Sequence, residues 1–492
     1  MSKLRFGWSE VSIVPEGKKI NLAGQFYERI TDEVRDEISV TALAVEGKDI
    51  AIFCACDLVS TSYALLESVR EILKKTEGFP YDKVIVSAIH SHTSLSYARA
   101  DDSYGSTLGI LSKYTPDGVT YEEFVSDSTG DLLDGEEAHA FLAEKIAEAA
   151  LLAYGNLKEG KFAAGFGRAA VGMCRRVCYD DGSAKMWGDT NFANFTELEG
   201  GSDSGIEMLF ITDCDEKLTG VVANLACPAQ VLEHRNIISA DFWGDVKKRL
   251  RARFGKDIFL LPLCSPAGDQ CPRDMIRWVE PESPINDPNI VRENVPARRA
   301  DPSMFDEAGC IRAARRISDE ILYAYDDITS YTAEADFTHK VINLDIPLRR
   351  VTIEEKDRAL AAIKSFFEKH TGTITFKDNA AMHVHAGTVA RYEVQQSVEI
   401  DPIEIHVLRL GDIAIATNPY ELFLNYGNRI RARSKAKQTF LIQLSCGSKG
   451  YLPTEKAERG GHYSAYVSSG TAGHAGGDLL VRKTLAEINK MF

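Results

Sequence analysis

The stretch Lys83-Val84-Ile85-Val86-Ser87-Ala88-Ile89-His90-Ser91-His92-Thr93 decides the fold. Its first six residues are mostly β-branched or apolar and read as a buried strand. Upstream, Ser39 to Glu46 and Asp49 to Cys56 are strands of the same kind, joined by the hairpin-like punctuation Gly47-Lys48. Between these and Lys83, the residues Leu65, Leu66, Val69, Ile72 and Leu73 recur at helical spacing, and Gly78 falls where a helix C-cap would. Strand, helix, strand is a βαβ unit, which predicts an α/β fold with helices packed on a core sheet.

Working outward, Ser94 to Gly135 dissolves into Ser, Gly, Asp and Tyr, long enough to read as a lid or binding loop. A helix carrying Leu142, Ile146, Ala149, Ala150 and Ala153 follows. Strands are expected over Lys161 to Val171, Ile206 to Asp213, Leu218 to Ala226 and Ile258 to Leu263, with a helix through Phe242, Val246 and Leu250 before the last. Pro281 to Pro302 reads as a surface excursion or domain boundary, ahead of a helix from about Ser303 to Tyr325. Ser330 to Pro402 alternates strands with one helix, Glu354 to His370, and is expected to form a semi-independent lobe. The chain then runs through strands His406 to Leu410 and Ile413 to Thr417, a helix from Pro419 to about Arg433, and strand Thr439 to Leu444. No internal repeat is present.

The 492 residues are 44% hydrophobic, 26% charged and 9% aromatic, which excludes a disordered or collagenous chain. Length alone suggests roughly three domains. Lys and Arg number 57 against 72 Asp and Glu, a net charge of −15, and such a field repels phosphate backbones and anionic lipid. Nucleic acid and stable membrane association are therefore not expected. The opening Met1-Ser2-Lys3-Leu4-Arg5-Phe6-Gly7-Trp8 lacks the apolar run of a secretory signal, and nothing approaches the ~18 apolar residues of a spanning helix. The ten cysteines contain no CxxC pair, so reduced thiols and a cytoplasmic protein are expected.

Candidate chemistry sits at strand ends, where α/β sheets hold ligands. His90 and His92, at i and i+2, suit a metal or an acid/base pair, although two hydrogen-bonded loop histidines would look the same. His383 and His385 share the spacing but lack a strand end. Cys227, in Asn224-Leu225-Ala226-Cys227-Pro228-Ala229-Gln230, is a soft zinc donor or a buried small residue. Cys271, in Cys264-Ser265-Pro266-Ala267-Gly268-Asp269-Gln270-Cys271-Pro272-Arg273, lies in a turn forced by its Gly and Pro residues and becomes a nucleophile if its pKa is lowered. Glu421, in Asn418-Pro419-Tyr420-Glu421, is placed in a first helical turn, where the dipole favours a carboxylate. Asp57, ending a strand, is similarly ambiguous.

Taken in order, these motifs resemble the catalytic domain of the neutral/alkaline ceramidase family across roughly residues 5 to 470. The resemblance begins with Val11-Ser12-Ile13-Val14-Pro15, Leu22-Ala23-Gly24, Arg29 and Asp57. It continues through Ile89 to Thr93, similar to a Thr-His-Thr-His-Ser signature, then Cys174-Arg175, Cys227-Pro228 ahead of Ser239 and Asp241, and the Gly268-Asp269 turn. It closes with Glu421 and the pair Tyr451 and Tyr463. It implies one large α/β unit over residues 1 to 492 that binds one zinc ion and cleaves an amide. By position, His90, Glu421 and Tyr451 would be metal ligands, His92 an acid/base or substrate contact, Tyr463 the oxyanion stabiliser and Arg175 the substrate-side arginine.

Three departures stand out. Cys227 occupies the place of a family histidine ligand, leaving a Cys227, His90, Glu421, Tyr451 set for Zn2+, with Gln230, Glu233 or His234 as substitutes. Cys271 replaces a serine. Only 29 residues (492 − 463) follow Tyr463, too few for the family's C-terminal β-sandwich. The resulting expectation is a zinc-dependent hydrolase of a small soluble substrate, with an N-acyl amide as the bond. The alternatives are a Cys271-dependent hydrolase of a glycosidic or ester bond, and an inactive homologue that only binds its ligand. A (β/α)₈ amidohydrolase would need later His and Asp ligands at strand ends, and that set is not found in order.

Overall fold

The computed structural model describes residues 1–25, 27–97, 109–121, 131–279, 299–300 and 306–492. Eight long strands build the main sheet: β1 (Arg5–Ser12), β2 (Ser39–Glu46), β3 (Ile50–Cys56), β4 (Val84–Ala88), β5 (Lys158–Arg168), β6 (Gly205–Asp213), β7 (Leu218–Leu225) and β8 (Phe259–Cys264). Their spatial order is β8-β7-β6-β5-β1-β2-β3-β4. The pairs β3–β4 and β7–β8 are parallel, and the other pairings are antiparallel. A second sheet, β9 (Phe337–Pro347), β10 (Ile400–Leu410), β11 (Ile413–Thr417) and β12 (Gln438–Ile442), closes with a parallel β11–β12 pair.

Period-two alternation sorts the side chains into layers. Leu209, Ile211, Val222, Leu261 and Leu263 point one way and pack with Leu408, Leu410, Ile413, Ile415, Phe440 and Ile442 of the second sheet. Their neighbours Met208, Phe210, Val221, Ala223 and Leu260 point the other way, under helices α3 (Phe242–Phe254) and α4 (Asp306–Asp326). Helices α1 (Tyr63–Leu73) and α2 (Gly135–Gly155) cover β1 to β3. On the outer face of the second sheet, Ile405, Val407, Ala416 and Leu441 meet α7 (Leu424–Arg431) and α8 (His474–Met491). The architecture is mixed α/β in four layers, helices, sheet, sheet, helices; the α/β class agrees with the strand–helix–strand reading, which does not include the second sheet.

Several local expectations are corrected. Lys74, not Gly78, caps α1; Gly78 lies in the turn beyond, at φ +73°. Between β9 and β10 there are two helices, α5 (Ile353–Lys369) and α6 (Phe376–Val394), each opened by a capping box, Thr352 with Glu355 and Thr375 with Asp378. They share a small apolar cluster of Ala359, Ile363, Phe367, Ala386 and Val389. His383 and His385, expected to lack a strand end, lie on α6. The helix expected from Pro419 begins only at Leu424, because Glu421 and Leu422 pair in parallel with Tyr451 and Leu452. Glu421 is therefore a strand residue and receives no helix-dipole stabilisation. Most of the expected Pro281 to Pro302 excursion, and residues 98–108 and 122–130 of the expected lid, lie outside the described residues.

Candidate functional site

The parallel pairs β3–β4, β7–β8 and β11–β12 bring their C-terminal ends together. The segments that leave them are stitched by backbone hydrogen bonds: Ala88 N–H to Leu444 O, Ala229 N–H to Ile89 O, Gln443 N–H to Cys264 O and Asn418 N–H to Ile442 O. His90 stands at this junction in the left-handed region, at φ +64°, a strain that the surrounding bonds hold in place. Its Nδ1 lies 2.6 Å from the Val59 carbonyl. A carbonyl only accepts, so Nδ1 carries a proton; in the neutral ring Nε2 then presents its lone pair toward Glu421 Oε2, 3.4 Å away.

Glu421 is positioned by its neighbours' backbones. Its N–H donates to Gly450 O, and the next N–H, of Leu422, donates to the Oε1 of buried Gln443. Gly268 is required beneath it, because a Cβ there would lie 2.3 Å from the Glu421 carbonyl oxygen. The Tyr451 side chain reaches Glu421 across the two-residue strand pair; burial, then the adjacent carboxylate, pushes its hydroxyl well above the ordinary tyrosine range.

Both ring nitrogens of His92 are buried, although its side chain is 12% exposed, and neither has a hydrogen-bond partner among the described residues. Its Nδ1 is 3.4 Å from Glu233 Oε2, and its ring stands edge-on to His90 with centroids 4.9 Å apart. Burial, reinforced by the neighbouring His90 and the Arg29 and Arg175 cations, holds it well below the usual histidine range, so it is a neutral base. Arg29 clamps this region by donating to the carbonyls of His92, Glu233, Ala23 and Arg235.

Arg175 is buried and donates to Gly268 O, while its Nε has no hydrogen-bond partner among the described residues. Burial disfavours its charge, but the facing Tyr463, Tyr451, Cys271 and Glu421 hold the guanidinium protonated. Trp187 lies between Arg175 and Arg273, 5.3 and 4.8 Å from their guanidinium carbons, and donates its Nε1–H to the Tyr463 hydroxyl at 3.0 Å. Arg273 in turn pairs with Glu233 at 3.1 Å.

Cys227 and Cys271 are both buried and electrostatically coupled to one another. The Cys227 thiol sits 3.5 Å from the Pro228 carbonyl, and burial pushes it far up. Burial pushes Cys271 up to about 11, with Arg175 pulling the other way, and its Sγ lies 3.3 Å from the Arg273 carbonyl. Asp57 is an internal anchor: it takes hydrogen bonds from Ser39 N–H and from buried Lys247, 3.1 Å away. Asp241 caps the start of α3, and Asp269 accepts from Leu424 N–H at 2.8 Å. Trp187 and Gln443 join the site without belonging to any short motif; Arg273 ends the Cys264 to Arg273 turn, and Glu233, expected only as a substitute metal ligand, stands beside His92.

Whether these residues fit a metal is tested by their hydrogen bonding. His90 donates Nδ1–H to a carbonyl and leaves Nε2 free, the orientation that metal-bound imidazoles adopt. The Glu421 carboxylate stands beside both that His90 nitrogen and the Tyr451 hydroxyl, a donor set that fits a borderline-soft divalent ion such as zinc. Among the described residues, Cys227 does not close a three-donor group within 4.8 Å with His90 and Glu421; the group of that kind lies at Glu404, His406 and Cys446.

The four-layer architecture defines a ceramidase-like fold. Over its full length the chain is similar to the crystal structure of neutral ceramidase from Pseudomonas aeruginosa, with a TM-score of 0.67 at 15% identity, covering 75% of that chain. It is also similar to a ceramidase complexed with C2, with a TM-score of 0.68 at 13% identity and the same coverage. At these identities the likeness is one of fold. No protein-family profile and no curated protein sequence matches the chain. Among the described residues, no helix is long and apolar enough to cross a membrane.

Proposed function

We propose that the protein is a metal-dependent hydrolase of an amide bond in a small N-acyl substrate. The observation that carries this reading is the convergence of the His90 Nε2 lone pair, Glu421 and Tyr451 at the strand ends, 3.4 Å separating the first two, in a fold shared with ceramidases. His90, Glu421 and Tyr451 would hold the ion, with Cys227 as the fourth donor if its loop closes on them. Such an ion, when bound, acidifies water and polarises a carbonyl.

The chain's own groups supply the rest. Neutral His92 accepts a proton from the attacking water and returns it to the leaving nitrogen. Glu233, 3.4 Å from its Nδ1, stabilises the imidazolium formed between those two steps. Tyr463 donates to the developing oxyanion, held in place by the Trp187 N–H that its oxygen accepts. Arg175, a buried cation with an unpartnered Nε, binds an anionic or strongly polar group of the substrate.

A Cys271 nucleophile has less support, since burial disfavours its thiolate. The test is hydrolysis of a panel of N-acyl amino acids, N-acyl amines and a short-chain ceramide, with and without chelator. Amide cleavage that a chelator abolishes and zinc restores is the expected result. Turnover undiminished in metal-free protein would falsify the metal-dependent reading, and covalent labelling of Cys271 by substrate would favour the thiol.

A further inference from the structure

A second group of ligand-type side chains lies apart from His90. Glu404 and His406 sit at i and i+2 on β10 and so project to one face. Cys446 joins them from the segment after β12. The His406 Nε2 is 2.9 Å from Glu404 Oε1 and 3.5 Å from Cys446 Sγ, and all three donor atoms lie within 4.8 Å of one another. His406 and Cys446 are buried, and the Glu404 side chain is 11% exposed.

Hydrogen bonding determines which nitrogen faces this group. The Ile50 carbonyl, 2.8 Å from His339 Nδ1, accepts only, so that nitrogen carries its proton. In a neutral ring the His339 Nε2 is then a lone pair, and it lies 2.7 Å from His406 Nδ1, which must donate to it. In a neutral His406 ring, Nε2 is left as a lone pair directed at a carboxylate oxygen and a sulfur. Three electron-pair donors therefore converge on one point. From the other side, Arg70 bonds both Glu404 oxygens, at 2.7 and 3.0 Å, and fixes the carboxylate's orientation.

We propose that Glu404, His406 and Cys446 form a buried divalent-metal site of the mixed oxygen, nitrogen and sulfur kind that zinc takes, with His339 and Arg70 orienting its ligands. Bond lengths of about 2.0–2.3 Å around a tetrahedral ion separate its donor atoms by about 3.3–3.6 Å. The observed His406–Cys446 distance of 3.5 Å matches that spacing, and the Glu404–His406 distance of 2.9 Å has only to open slightly. Binding displaces the thiol proton to solvent, so the thiolate and the carboxylate balance the ion's two charges. The site braces the fold: the Cys446 N–H donates to Val86 O on β4, the strand that leads into His90. It does not depend on the hydrolase reading.

Crystals of the full chain grown with zinc, recorded at the zinc absorption edge, test it directly. An anomalous peak about 2–2.5 Å from His406 Nε2 and Cys446 Sγ is expected, in the unsubstituted protein and equally in His90→Ala. No peak at that position overturns the proposal and leaves a proton on His406 Nε2 as what joins it to Glu404. In solution, Cys446→Ser should carry one zinc ion fewer per chain. Unchanged zinc content in folded Cys446→Ser overturns it too, and the crystal measurement stands even if that variant fails to fold.

Discussion

Replacing Gln443 by Met tests how the candidate site is held together. Gln443 is 1% exposed, and its Oε1 accepts from Ala267 N–H at 2.9 Å and from Leu422 N–H at 3.1 Å. One amide thus ties the Gly268-Asp269 turn to the short strand carrying Glu421. Methionine fills a similar volume without an acceptor, so two buried N–H groups lose their partner. At about 1–3 kcal/mol for each, the expected loss of stability is about 2–6 kcal/mol. With Leu422 released, Glu421 loses its fixed position, and zinc affinity should fall roughly 10–100-fold, the usual effect of removing a group that orients a ligand. Urea unfolding gives the first quantity. Zinc competition against a chromogenic chelator gives the second, in a Cys446→Ser background so that only the His90 centre is read. Gln443→Glu keeps an acceptor for both N–H groups and should recover part of both losses. A Gln443→Met protein within about 0.5 kcal/mol of the original, with unchanged zinc affinity, would show that Glu421 is positioned by something else.

Tyr463→Phe removes the oxyanion donor and the acceptor of the Trp187 N–H, and should lower kcat by about 10²–10³-fold with zinc content unchanged and a modest fall in Tm; steady-state kinetics with metal analysis checks this, and undiminished kcat removes Tyr463 from the chemistry. Gly24→Ala places a Cβ 2.6 Å from the His92 ring at φ +93°. Displacing His92 should cost about 10²-fold or more in kcat with bound zinc retained, and normal turnover would exclude His92 as the proton carrier. Burial, then the charges of Arg176 and Lys185, pushes His462 down to about 4 from 6.5, and its Nδ1 accepts from Met186 N–H. A histidine depressed on folding stabilises fully above its unfolded pKa, and that stability is lost as pH falls from 6.5 through 4. The loss is at most about 3 kcal/mol. Denaturation curves across that window should steepen their decline below pH 6.5, and His462→Gln should flatten it.

Much of this was legible in the chain itself. Alternation in Leu209 to Ile211 and Leu260 to Leu263, and helical spacing in Leu65 to Leu73, mark a strand or helix wherever they occur, because one face must be buried. Strand ends carrying His90, Cys227 and Glu421 announced themselves through residue type and local order. The second lobe helix escaped because α6 is weakly amphipathic; its signal was the Thr375-Asp378 cap. Glu421 was misplaced because a parallel partner thirty residues on, Tyr451, competed with a local helix start and won through Gly450 and Gln443.

Composition and periodicity by themselves determined the α/β class, the strand–helix–strand core and the histidine pair, since each depends on contacts a few residues apart. Only the tertiary structure decided which ring nitrogen of His90 faces Glu421, that Glu233 stands beside His92, and that Trp187 joins Arg175 to Tyr463. It alone also brought Glu404 and His406 to Cys446, forty residues away. The reason is physical: a donor's direction, a thiol's burial and the meeting of three lone pairs are set by groups distant in sequence. No local pattern encodes them until the sheets have packed.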